Sequence, residues 1–214
     1  RELELTISPG SRLVVDAGAG SLVLQGDPGA DRIHVTAEIY QVEPSDNYTL
    51  TLEADGDETT RLVSEIDSRF GVNKDRIDLE IRVPNTLEVK LTDGSGSIKV
   101  TDIAGPLTIE DRSGSISIEN VGADVMIDDG SGSIQVENVA GNLTIEDGSG
   151  SITVRGAGGD VTIDDGSGSI DVNDTGGVVT VSDGSGSINV DGAADFELLS
   201  DGSGSVNVSN LRDG

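Results

Sequence analysis

An all-β, single-chain β-solenoid is the fold class this sequence predicts, with 18-residue coils and two short strands per coil. Three observations predict it. The hexapeptide "DGSGSI" at Asp93–Ile98 returns unchanged at 129, 147, 165 and 183, and near-copies "DRSGSI" at 111 and "DGSGSV" at 201 complete seven units with no slip in an 18-residue pitch. Aliphatic residues within each unit alternate at period two. Aromatics make up only 2% of the chain, with no Trp, so the interior has to be built from Ile, Val and Leu in small layers.

Counting from the Asp of each unit, five steps on lie Ile98, Ile116, Ile134, Ile152, Ile170, Ile188 and Val206, and seven steps on lie Val100, Ile118, Val136, Val154, Val172, Val190 and Val208. A second pair, nine steps after the first, starts at Leu107 and Ile109 and recurs up to Glu197 and Leu199. β-branched residues at this alternation specify strand rather than helix. A smaller column, from Ile103 to Leu211, sits at step ten. Gly at step three, and in most units at step twelve, suits the bends between strands. One unit cannot bury its own apolar side, but stacked units can, with strands of successive coils pairing in parallel at about 4.8 Å and seven coils spanning roughly 30 Å. Each buried Ile or Val contributes about 1.5–3 kcal/mol. A three-sided hexapeptide helix also uses 18 residues per coil but wants an aliphatic every six; pairs nine apart favour a flattened, two-sided coil.

Residues 93–214 are the regular solenoid, and residues 1–92 are an irregular β region continuous with it. In the latter, "AGAGSLVL" (Ala17–Leu24) is a worn copy of "DGSGSIKV", and "RIHVTAEI", "YTLTL", "RIDLEIRV" and "LEVKL" alternate as strands that widen into a cap. In "DETTRLVSEIDSRF" (Asp57–Phe70), Leu62, Ile66 and Phe70 fit a helical face capped by Asp57, while the alternation favours strand like its neighbours. Near the other end, "DFELLS" puts Glu197 where an aliphatic belongs, which predicts a bulge or shifted strand. The last coil stops part-way, leaving an open parallel edge that predicts either further chain or a homo-oligomer through that edge. Arg1 in place of Met implies a removed leader.

The charge is lopsided, 40 acids against 13 bases for a net −27. Such a chain repels nucleic acid and anionic lipid and attracts cations or basic partners. No Cys is present, which excludes disulfides, zinc–thiolate sites and thiol nucleophiles. No apolar run is long enough for a membrane span. His34, the single His, alternates with Ile33 and Val35 and belongs on a strand surface. No Ser-His-Asp set or phosphate loop can be assembled, and an insertion-free repeat offers no loops for a cleft, so the chain is read as non-enzymatic.

The acidic positions are the candidate site. Stacking aligns the step-zero Asp of every unit, and the preceding residue is acidic in four, which makes Glu110, Asp111, Asp128, Asp129, Glu146, Asp147, Asp164 and Asp165 candidate Ca²⁺ ligands. Like charges one coil apart repel by about 1 kcal/mol even in water. The known calcium-binding nonapeptide pattern, however, carries Asp two residues before the aliphatic, where Gly stands here. The simpler reading is that each Asp closes its turn by accepting N–H groups of the following "GSGS". No other cofactor is expected. The aligned Ser columns, and the Thr column interrupted by Met126, lack the regular Thr pairs of ice-binding solenoids.

The run "RIDLEIRVPNTLEVKLTDGSGSIKV", followed by tandem "GxLTIEDxSGSIxIxN", resembles DUF4097, a family of bacterial proteins provisionally classed as adhesins and of unknown function. The resemblance spans the chain and is strongest from Arg76 on. It implies a β-solenoid in the periplasm, on the cell surface or secreted. Together with the insertion-free repeat, it leads to the expectation of a multivalent binding scaffold with a surface glycan or envelope protein as partner. The first alternative is a self-assembling structural β-helix of the bactofilin kind; behind it stand Ca²⁺-dependent binding and a carbohydrate-active enzyme, the latter kept because clustered acids on solenoids act on polysaccharides elsewhere. The family carries no assigned mechanism.

Overall fold

The computed structural model describes residues 1–8, 10–43, 45–56, 58–66 and 74–212. The N-terminal region contributes β1 (Glu2–Thr6), β2 (Arg12–Ala17), β3 (Ala19–Asp27), β4 (Arg32–Tyr40), β5 (Tyr48–Ala54), β6 (Thr59–Ile66) and β7 (Arg76–Pro84). The coils that follow pair β8 (Glu88–Asp93) with β9 (Ser95–Ile103), β10 (Leu107–Asp111) with β11 (Gly114–Val121), and β12 (Val125–Asp129) with β13 (Gly132–Val139). Then come β14 (Leu143–Asp147) and β15 (Gly150–Ala157), β16 (Val161–Asp165) and β17 (Gly168–Asn173), β18 (Val178–Asp183) and β19 (Gly186–Asp191), and β20 (Asp195–Asp201) and β21 (Gly204–Ser209).

Two sheets result. One has eleven strands in the order β1-β4-β7-β3-β9 and then every odd strand to β21; the other has ten, from β20 through the even strands to β8-β2-β6-β5. Within the repeats every pairing is parallel and shifted by one repeat: Ile116 lies over Ile134 and Ile134 over Ile152, while Ile127 lies over Ile145. This is the two-sided coil that the nine-residue spacing predicts. Both aliphatic pairs and most of the step-ten column point inward and are almost wholly excluded from solvent, from Ile98 to Val190.

The N-terminal region departs from a simple serial stack. β3 pairs with β9 with Gly20 on Gly96 and Leu22 on Ile98, so the worn copy does occupy a coil of its own. The coil of β2 and β3 lies between that of β8 and β9 and that of β6 and β7. The chain therefore makes one coil, leaves it to build the cap, and returns on the far side of that first coil. Antiparallel β4 and β1 close one sheet and antiparallel β5 closes the other. Such a non-sequential path needs long-range pairing that local alternation does not encode.

The ambiguous segment is strand over β6, with Leu62 in the core. Its proposed cap Asp57 and its end at Phe70 lie outside the described residues. The irregularity at Glu197 is also present. Phe196 pairs with Val179 and Leu198 with Val181, one residue early, and the register recovers at Ser182–Ser200, which leaves Leu199 as the extra residue of a bulge. The shift turns Glu197 outward beside Thr180 and lets Phe196 pack against the core.

Candidate functional site

The step-zero aspartates close their turns as the simpler sequence reading expected. Alternation along β10 places Leu107, Ile109 and Asp111 on one side, so the carboxyl group continues the buried file. Asp93, Asp111, Asp129, Asp147, Asp165 and Asp183 are all only 2–6% exposed. From Asp111 onward, Oδ1 of each accepts a hydrogen bond from the backbone N–H two residues on: Ser113 at 3.2 Å, Ser131 at 3.1 Å, Ser149 at 3.1 Å, Ser167 at 3.0 Å and Ser185 at 2.9 Å. Successive coils are tied at the same place by backbone bonds such as Gly130 N–H to the Asp111 carbonyl, 3.0 Å. Oδ2 of all six has no hydrogen-bond partner. Burial, the largest influence, raises each of these carboxyl groups above the ordinary carboxylate range.

Glu110, Asp128, Glu146 and Asp164 occupy the opposite face of the same strands. They form a solvent-facing file in register, Glu110 on Asp128 on Glu146 on Asp164. The eight calcium candidates are thus split by the sheet, four inside and four outside. Among the described residues no group of three or more His, Asp or Glu side chains converges as a metal ion requires. One end of the outer file is neutralised by Lys90, whose Nζ lies 2.7 Å from Glu110.

The other edge of the rod carries a feature that the sequence reading did not single out. Asp102, Asn120, Asn138, Asp174 and Asn210 adopt left-handed backbone with φ of 55–62°, and Gly156 and Gly192 continue the column at 73° and 79°. Every step-nine residue is Asn, Asp or Gly, the types that tolerate this conformation, and that restriction was the available signal. The side chains form a ladder: Asn138 Nδ2 donates to Asn120 Oδ1 at 3.2 Å, and Asn120 Nδ2 donates to Asp102 Oδ1 at 3.0 Å. Where this ladder meets the cap it borders a shallow groove of about 720 Å³, with Arg82, Asn85 and Asp27 on its walls and Ile103 and Val121 beneath. His34 lies elsewhere, on β4, with Nδ1 3.0 Å from a Glu4 carboxylate oxygen. Among the described residues no helix is long and apolar enough to cross a membrane.

Two solved structures align along nearly the whole chain at low identity. One is provisionally assigned as a cell adhesion protein of Clostridium sporogenes, at 13% identity over 98% of each chain with a TM-score of 0.30. The other is provisionally assigned as an adhesin of Bacteroides fragilis, at 14% identity over 97% of this chain and 96% of the other, with a TM-score of 0.32. Scores this low do not establish a common shape. No curated protein matches the chain. A family model does, over residues 30–213, a span that takes in the cap strands from β4 on, both faces of the repeat and the buried aspartate column; the chain belongs to the Toastrack DUF4097 family.

Proposed function

We propose that the protein is a non-catalytic, multivalent binding rod of the cell envelope or the extracellular medium, and that it engages a repetitive surface such as a glycan or an envelope protein. One observation carries this reading. From β10 to β18 the outward residues of this sheet are held in the same register as the core, so one flat face offers the same shallow contacts coil after coil, as in the file from Glu110 to Asp164. Weak contacts repeated on a rigid support add through effective concentration. The adhesive role is the one implied by the resemblance in the sequence.

The test is binding of labelled full-length chain to cell surfaces and immobilised envelope glycans, beside a variant lacking residues 129–164, a deletion of two whole repeats that rejoins in register. Retention should fall disproportionately in the shortened rod. Equal retention of both chains would overturn the multivalent reading, and no retention on any surface would overturn the adhesive one.

A second reading has its own observation. At the last coil Leu198, Leu199, Val206 and Val208 are 37–63% exposed, on strands that form the ends of the two sheets. A second copy laid on this edge would cover them and continue the ladders, which gives end-to-end self-assembly. Light scattering across salt and Ca²⁺ tests it; a monomer under every condition overturns it.

A further inference from the structure

Six carboxyl groups stand in file along the turn edge, each anchored through Oδ1 or its own turn backbone and each with Oδ2 buried and unpartnered. Among the described residues no Lys, Arg or His is paired with them. On their own strands the neighbouring side chains, Glu110, Asp128, Glu146 and Asp164, point to the opposite face of the sheet. The turns themselves are Ser and Gly apart from Arg112, which is exposed, and the inward positions of the facing strands are Ile and Val; at the cap end Lys74, Asp75, Arg76 and Asp78 line the surface beside Ser95, Gly96 and Ser97, the turn that follows Asp93. Beyond Asp183 the next member is another acid, Asp201, at the exposed last coil. Parallel strands about 4.8 Å apart keep successive side chains too distant to share a short hydrogen bond directly.

An ionised file of this kind combines desolvation with repulsion from above and below; the N–H groups on Oδ1 offset part of this, burial outweighs them, and among the described residues no paired cation offsets the rest. A proton on each orphaned oxygen removes both. We propose that the interior aspartate column is a proton-loaded spine: coil stacking is tightest while the orphaned Oδ2 atoms carry protons, and the rod loosens as those protons are lost.

The direction of titration agrees. Burial raises Asp93 to about 7, with repulsion from Asp111 adding to it, and raises Asp129 and Asp165 to about 6. The folded state therefore holds protons more tightly than the unfolded chain, whose carboxyl groups titrate near 3.8. The stabilising protonation is complete below that value and is lost as pH rises through about 6–7. This is opposite to a carboxylate held low by an ion pair.

Thermal unfolding of the full chain from about pH 4 to pH 8, at high salt to screen the surface charge, tests the proposal. The melting temperature should fall by several degrees or more across this range. Asp129→Asn with Asp165→Asn should melt above the wild type at the alkaline end and lose about a third of the pH slope, two sites of six. Asp128→Asn with Glu146→Gln removes the same charge from the outer face and should leave the slope unchanged. A melting temperature that is flat or rises with pH overturns the proposal, as does equal flattening by the inner and outer pairs. Calcium restoring the alkaline melting temperature as fully as acid does would also overturn it, because a metal would then fill the column. If the inner variant does not fold, the infrared carbonyl band of protonated carboxylic acid decides for the native wild type at about pH 5.5: present, it supports the spine; absent, it overturns it.

Discussion

Gly168 lies directly on Gly150, so closely that a Cβ on Gly168 would stand 1.5 Å from the Gly150 carbonyl oxygen. The same contact recurs from Gly114 to Gly204 at 1.5–1.7 Å. The step-three glycine is therefore required twice over at Gly168, by the backbone of the coil before it and by a φ of 152°.

Gly168→Ala should cost about 4 kcal/mol or more, since backbone rather than a flexible side chain must move. Gly10→Ala is the control: its φ of 80° is also left-handed, but a Cβ there meets nothing within 4 Å, so the cost should be about 1–2 kcal/mol. Denaturant midpoints of both variants check the difference.

Core truncation should be costly anywhere along the file. Ile145 is fully buried, and Ile145→Ala should cost about 2–5 kcal/mol, because flanking Ile127 and Ile163 are held by their own ladders and cannot collapse into the gap. Met126, 53% exposed on the outer face, should tolerate Ala within about 0.5 kcal/mol. Chemical denaturation distinguishes the two.

Exchange of roles at the bulge gives a third expectation. Phe196 packs partly against the core while Glu197 faces out, so Phe196→Ala should cost about 1–2 kcal/mol and Glu197→Ala less than about 0.5 kcal/mol. If Glu197 proves the costlier, the shifted register is wrong.

The outer acidic file should make the rod salt-dependent. With Asp128 and Asp164 one coil to either side, Glu146→Gln should raise the low-salt melting midpoint, by the equivalent of about 0.5 kcal/mol, and shrink the gain seen on adding salt. A calorimetric scan at low and high salt measures both effects.

Period and phase were legible in the chain, and the path and facing of some residues were not. The repeat fixes which residues stack, as Ile134 on Ile116 shows, because an invariant pitch and a backbone ladder admit one register. It also exposed the break at Glu197. The acidic positions looked like one edge because Asp128 and Asp129 are adjacent in sequence; strand alternation sends them to opposite faces, and counting parity on from Val125 and Ile127 would have shown it. The insertion of the β2–β3 coil between later coils was not legible at all. It depends on which of several similar strands pair, and alternation makes them equivalent.

One consequence of the shared register reaches beyond this molecule. Any coil between β10 and β19 presents its neighbours with the same interior, the same turn and the same hydrogen-bonding edge. Duplication or loss of one gene segment would therefore leave every junction intact. Length in such a rod is open to drift by whole increments, and selection can set its reach as one sets a ruler, without redesigning the fold.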